Sequence, residues 1–358
     1  MPSRRLRIAI VDHNYGSKAF VQAIHAAGHE LVTDAADVLL IDFDPPLKGY
    51  RDMIDKHSRQ GAKVVLYPHG AGGPNLSYDG LWKPYERVDA NLVNGYGHAE
   101  FLRRLEYPAP VHVVGWTRGE KLPFRPRDVV EHVVFGPLHP NADGSMAKQL
   151  RDSNTAVFEK LVKGPWRLTV RHVGTLEQIG LKKIDGVTYV DGRTSPLHAE
   201  IDVADAVVAG EGTFPNLAIA HGVGTVIYSQ AAPFLGLPGE KPVKLRRPDR
   251  YRDYIRYPFD VADGPLDEIV HAAARSDAPI AHWRRRFQGE PMDPRAVVSA
   301  IEGIVAGEAP VRIDPTRRFT TLTFADELVE RPELLRSYVE QVSSADDASL
   351  LVCAPGLD

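Results

Sequence analysis

The sequence predicts an α/β protein of two Rossmann-like, doubly wound parallel-sheet domains with an interdomain cleft. Three observations predict it. Short apolar, β-branched runs alternate with helix-length amphipathic stretches through most of the 358 residues, the pattern of parallel strands joined by right-handed helical crossovers. The alternation breaks at a stretch rich in Pro, Gly and charge over 117–127, then resumes. Several of the apolar runs end in turns that carry glycine or histidine, at the strand ends where such sheets place their ligands.

In chain order, residues 6–11 read as a strand that runs into Asp12-His13-Asn14-Tyr15-Gly16-Ser17. A helix through Phe20, Val21 and Ile24 ends at Gly28. Residues 37–43 are a strand halted by Pro45-Pro46. Residues 63–67 are a third, leading into Pro68-His69-Gly70-Ala71-Gly72-Gly73-Pro74, a loop that no helix crosses. A strand over 89–94, a helix over 98–105 and a strand over 111–114 complete the first series. After the linker come a strand over 131–135, a helix over 146–162 and strands over 167–172 and 187–190.

The stretch 203–227 is the most telling. Ala206-Val207-Val208-Ala209 is an apolar run, and Gly210 and Gly212 let the backbone turn at its carboxyl end. Thr213 is placed to cap a helix through Leu217-Ala218-Ile219-Ala220, which Gly222 stops before Thr225-Val226-Ile227-Tyr228. A turn that points backbone N–H groups off a helix start suits a phosphate, aided by the helix dipole. The same pattern also fits an ordinary βαβ connection. A helix over 294–305 closes the series, so the expected domains are 1–120 and 128–310. A strand, helix and strand at 319–324, 332–342 and 348–353 form a tail over 316–358. A lone βαβ has little core area, so the tail is expected to pack back on the amino-terminal sheet or to open a further domain.

Composition narrows the function. Hydrophobic residues at 43% and charged residues at 25% are ordinary for a soluble globular protein. A net charge of −4 argues against nucleic acid as a partner. A single cysteine, Cys353, excludes a disulfide framework and cysteine-based zinc. The start of the sequence shows no signal-type apolar region and no run reaches membrane-spanning length, so a cytoplasmic enzyme is expected. Metal-ligand spacing is absent. Among 14 histidines, His13, His69 and His139 each follow a predicted strand. Histidine is the side chain suited to moving a proton near neutral pH, although each of the three also fits a structural role. His25, His29, His57, His98, His112 and His271 read as helix or edge residues.

These residues resemble the two-domain glycosyltransferase B superfamily, the clan that also holds UDP-N-acetylglucosamine 2-epimerases and CDP-glycerol glycerophosphotransferases. Ala204-Asp205-Ala206-Val207-Val208, with its glycine turn, helix and Gly222-Val223-Gly224-Thr225-Val226, resembles the clan's nucleotide-binding stretch. Pro68-His69-Gly70 is similar to the His-Gly loop of the glycerophosphotransferases. Val134-Phe135-Gly136-Pro137-Leu138-His139-Pro140 resembles the strand and loop that open the donor domain. The resemblance covers roughly residues 5 to 306 and includes Trp283-Arg284-Arg285-Arg286-Phe287.

The resemblance implies a transferase that moves a sugar or alditol phosphate from a nucleotide-activated donor to a hydroxyl of a glycan or polyol-phosphate acceptor, in glycan or cell-envelope polymer synthesis. The donor is a nucleotide-diphosphate sugar or CDP-alditol, no cofactor is held permanently, and peripheral membrane association is compatible with the acceptor. In this reading His69, with His13, serves the acceptor hydroxyl. His139, Arg171, Arg193, Gly210, Glu211, Gly212 and Thr213 serve the donor, the two arginines as a cationic clamp that a solvated surface role would equally explain. Where many members hold the donor ribose with a glutamate, this chain has Asn216, and Glu211 stands nearby as a substitute. The paired carboxylates of the epimerases are not recognisable. A non-catalytic glycan- or partner-binding domain, or an epimerase-like enzyme, remains the alternative.

Overall fold

Short Val-, Leu- and Ile-rich segments in the first third of the chain line up as one parallel sheet. The computed structural model describes residues 5–11, 17–41, 48–67, 88–104, 109–116, 121–138, 145–210, 212–228, 234–235, 243–244, 257–289, 291–307, 319–342 and 348–353. The first sheet contains β1 (Arg7–Val11), β2 (Glu30–Leu31), β3 (Val38–Ile41), β4 (Lys63–Leu66), β5 (Ala90–Val93) and β6 (Val111–Val113), in the order β2-β1-β3-β4-β5-β6. Its helices are α1 (Ser17–Ala26), α2 (Lys48–Arg59) and α3 (Tyr96–Arg104). Alternate residues serve opposite faces, as the strand period requires. Ile8, Val38, Leu40, Val65 and Leu92 pack with Ile24 of α1, whereas Leu39, Ile41, Val64 and Leu66 pack with Ile54 of α2.

The second sheet is also wholly parallel: β7 (His132–Gly136), β8 (Arg167–His172), β9 (Thr188–Asp191), β10 (Ala206–Gly210) and β11 (Gly224–Tyr228), in the order β11-β10-β7-β8-β9. Around it lie α4 (Ser145–Leu161), α5 (Ala199–Asp202), α6 (Thr213–Ala220), α7 (Leu266–Arg275) and α8 (Asp277–Trp283). α8 runs into a π-helical turn, Arg284–Gln288, and α9 (Pro294–Ala306) follows. Phe135, Val170, Val208 and Tyr228 form one core with Phe158 of α4 and Val270 of α7. Val134, Val207 and Ala209 form another with Ile201 and Leu217. Burying such a side chain contributes roughly 1.5–3 kcal/mol, so each sheet face is held mainly by its own helices. A short antiparallel pair, β12 (Phe234–Leu235) and β13 (Val243–Lys244), follows β11 in the chain.

Two features differ from the local reading. Helix α9, expected with the second series, joins the first sheet: Val297, Val298, Ile301 and Ile304 complete the core around Ile8, Ile24 and Leu92. Its limits are as the sequence dictates. Asp293 accepts from the Arg295 N–H at 2.8 Å, Pro294 opens the first turn, and Gly307 closes it at φ 76°. The described part of the predicted linker is seated rather than loose. Leu122 N–H donates to the Ala220 carbonyl and Arg125 N–H to the Gly222 carbonyl, each at 2.8 Å. Side chains at 222 would collide with Pro123, so the linker follows the end of α6 because that position is glycine.

Residues Met1–Glu308 form one compact unit and Ala309–Asp358 another. In the latter, β14 (Phe319–Phe324) pairs in parallel with β15 (Ala348–Cys353), joined through α10 (Ala325–Glu330) and α11 (Glu333–Gln341). Helix α11 buries none of its residues, and Val329, Leu335 and Val339 are exposed. No described helix is long and apolar enough to cross a membrane.

Candidate functional site

The chain order in the second sheet reverses at β7. From there it steps outward to β8 and β9, then returns to β10 on the other side and ends at β11. In doubly wound sheets a crevice opens at such a reversal, outside the carboxyl ends of the two strands concerned. Here those ends carry Gly136-Pro137-Leu138 and Gly210, Gly212 and Thr213. In the first sheet the reversal falls between β1 and β3. His13, which follows β1, lies outside the described residues, as do His69, His139 and Glu211.

Three glycines stand at these strand ends, each for a different reason. Gly212 has φ 152° and ψ −160°, a region open essentially to glycine alone. It is the N-cap of α6, and among the described residues no side chain caps that helix; Thr213, expected to cap it, is the first helical residue. Gly210, expected to let the backbone turn, is instead the last residue of β10. It must be glycine because the Leu138 side chain fills the space a β-carbon would need. A β-carbon at Gly136 would lie 2.6 Å from Cδ1 of Phe214, in the first turn of α6. The far end of α6 closes as the sequence predicts. Gly222 at φ 71° donates to Ile219 O and Val223 to Ala218 O, both at 3.0 Å.

Leu138 is held by its backbone. Asn154, fully buried in α4, donates from Nδ2 to Leu138 O at 2.8 Å and accepts the Leu138 N–H at Oδ1 at 3.0 Å. Oδ1 also accepts from the Tyr228 hydroxyl at 2.7 Å, and Nδ2 also donates to Ile179 O at 2.8 Å. The Leu138 N–H reaches the Tyr228 oxygen too, at 3.0 Å. Burial pushes the Tyr228 phenol well above its ordinary pKa, so it stays protonated and able to donate.

The polar residues expected at the donor divide differently. Arg171 is 7% exposed, and its guanidinium is used within the fold. It pairs with Glu200 and donates to the carbonyls of Gly192 and Ser195 at 3.0 Å and of Pro196 at 3.3 Å. Its Cζ stands 5.7 Å from the Phe214 ring centroid, so Arg171 braces the loop after β9 beside the start of α6. Arg193 is exposed and forks onto Asp191, 2.7 Å from Oδ2, where its hydrogen bonds hold that carboxyl below the usual range. Asn216 is fully buried. Its Nδ2 donates to Gly212 O at 2.7 Å and to the Tyr257 hydroxyl at 3.1 Å, and its own carbonyl accepts from Gln288 at 2.7 Å. Asn216 thus secures the helix start instead of presenting an amide at the surface, while its Oδ1 has no hydrogen-bond partner.

Gln288 belongs to the π-helical turn, which ties α6 to the first sheet. A β-carbon at Gly95 would lie 2.6 Å from the carbonyl oxygens of Arg286 and Phe287, and one at Gly97 2.6 Å from the Phe287 ring. His98, read from the sequence as a bland helix residue, packs its ring 5.4 Å from Phe287. Both its nitrogens are buried without hydrogen-bond partners, and burial lowers its pKa to about 3.

Sequence reasoning missed Asn154. The signal was present: Ala147, Leu150, Val157, Phe158 and Leu161 mark the inward stripe of α4, and Asn154 occupies a position on that stripe. A polar residue there requires buried partners.

No protein-family model matches the chain, and no curated protein matches its sequence. Among solved structures it is similar to glycosyltransferases. One is the spinosyn rhamnosyltransferase SpnG complexed with thymidine diphosphate, at 11% identity and TM-score 0.42 over 83% of this chain and 100% of that one. Another is the glycosyltransferase SnogD from Streptomyces nogalater, at 13% identity and TM-score 0.39 over 83% and 99%. The wall teichoic acid polymerase TagF matches at 11% identity and TM-score 0.42 over 86% and 89%.

Proposed function

We propose that the chain is a transferase that binds a nucleotide-diphosphate donor at the carboxyl ends of β7 and β10. One observation carries this reading: the order β11-β10-β7-β8-β9 puts its reversal beside the Gly212-capped start of α6. Backbone N–H groups and the positive end of the helix dipole favour a diphosphate there. They would also favour the negative charge that develops as the diphosphate leaves. In the transfer step the acceptor hydroxyl oxygen bonds to the sugar or alditol phosphate as the bond to the leaving group breaks, and the hydroxyl proton passes to His69. His139 would lie at the donor. With Arg171 and Asn216 engaged inside the fold, backbone groups of 212–213 and the exposed Arg193 are the donor contacts we favour.

Calorimetric titration with UDP, TDP and CDP tests the reading. We expect one of them to bind the wild type and to lose at least about tenfold in affinity in Gly212→Val, since a β-branched residue does not adopt this backbone. A folded Gly212→Val protein with unchanged affinity would sink the assignment. The internal commitment of Arg171 and Asn216 favours, as a second reading, a non-catalytic binding domain of the same fold. The two separate at His69→Ala, where a transferase keeps donor binding but loses on the order of 10²- to 10⁴-fold in turnover.

A further inference from the structure

We infer that Asn154 and Tyr228 are positioning residues whose task is to hold the loop after β7 over the end of β10, and so to shape the crevice between these strands. The inference rests on the nucleotide reading for its ligand, but the clamp itself is visible in the fold.

Asn154 makes four hydrogen bonds with its one carboxamide, the most such a group ordinarily makes. The pattern assigns its oxygen and nitrogen, because Leu138 N–H requires an acceptor while the Leu138 and Ile179 carbonyls require donors. The amide grips one residue by both backbone groups, as a neighbouring strand would, at a point where β7 has already ended. It also draws in Ile179, in the loop after β8, and Tyr228, the last residue of β11. Thr155, the next residue of α4, adds a bond from its hydroxyl to Gly180 O at 2.7 Å. One turn of α4 therefore joins the loops that follow β7 and β8 to the end of β11.

A core serving only stability has little need of this arrangement. A mid-helix Asn is a modest helix former, and a buried amide contributes little net energy beyond an apolar residue of similar shape. What the amide supplies is direction. The Leu138 side chain is directed into the space left by the missing side chain of Gly210, and the chain continues from that fixed point into His139.

The experiment compares wild type with Tyr228→Phe, which removes one hydroxyl and keeps the ring, and with Asn154→Leu. Hydrogen exchange at the Leu138 amide is followed against the β7 amides of Val133–Phe135, together with the affinity for the nucleotide diphosphate that binds the wild type. We expect Leu138 exchange to rise at least about tenfold with the β7 amides unchanged, and affinity to fall at least about fivefold in both variants. Unchanged exchange at Leu138 in both folded variants would overturn the clamp, since each removes one of the two acceptors of that N–H. Faster exchange with unchanged affinity would overturn its role at the ligand. A wild type that binds none of the nucleotides would overturn the proposed function and this role with it, leaving exchange to decide the clamp alone.

Discussion

Replacing Gly136 by alanine probes how closely α6 sits on the end of β7. The new methyl would lie 2.6 and 3.0 Å from Cδ1 and Cε1 of Phe214 and 3.2 Å from Cβ of Ala209. Carbon atoms rest at roughly 3.5–4.0 Å, so Phe214 must retreat by about 1 Å. Ala209 lies on a central strand and cannot yield, and the Phe214 ring lies beside the buried Arg171 guanidinium. The expected cost is that of overpacking, about 1–3 kcal/mol, read by urea unfolding monitored by tryptophan fluorescence. Phe214→Ala should relieve it. In the double variant the two changes should fall short of additivity by about 0.5–3 kcal/mol, the range for residues in contact. Nucleotide affinity should fall in Gly136→Ala as well, because Phe214 is one residue from the first turn's start at Thr213. A Gly136→Ala protein within about 0.5 kcal/mol of wild type, or strict additivity with Phe214→Ala, would refute the close packing inferred here.

Two further outcomes follow from buried ionisable groups. The His98 pKa is lowered by burial to about 3 in the folded state against 6.5 as its ordinary value. The unfolded chain therefore takes up a proton that the folded one refuses, and stability is lost as pH falls below about 6.5; between pH 7 and 5 this amounts to about 2 kcal/mol. Urea unfolding at the two pH values should show a loss smaller by about that amount in His98→Leu than in wild type, because His57, His112 and His132, also lowered by burial, still contribute in both. Parallel pH dependence in the two proteins would count against it. For the buried Arg171–Glu200 pair, Glu200→Ala leaves a guanidinium without its charge partner and should cost about 3–5 kcal/mol, whereas Arg171→Met with Glu200→Leu should restore most of it. Equal losses in the single and double variants would show that the pair matters for something other than charge compensation.

Much of this protein was legible because strand and helix patterns are local. β1, β7, β8, β10 and α9 lie within two residues of where the sequence pattern puts them. Short or polar-looking elements escaped: β2 has two residues, and α2 carries so many charged residues that its apolar stripe is reduced to few positions.

What the sequence by itself determined is the alternation of strand and helix and the glycines that stand at the strand ends. Only the tertiary structure decided what those residues do. Gly210 is glycine because of Leu138, 72 positions earlier; Arg171 is occupied by Glu200; Asn216 is buried beside Tyr257 and Gln288; and α9 serves the first sheet although it follows the second. The physical reason is the same each time. Hydrophobic periodicity says which side of an element is buried, but contact distances and hydrogen-bond partners arise between elements far apart in the chain, and no pattern within either one specifies its neighbour.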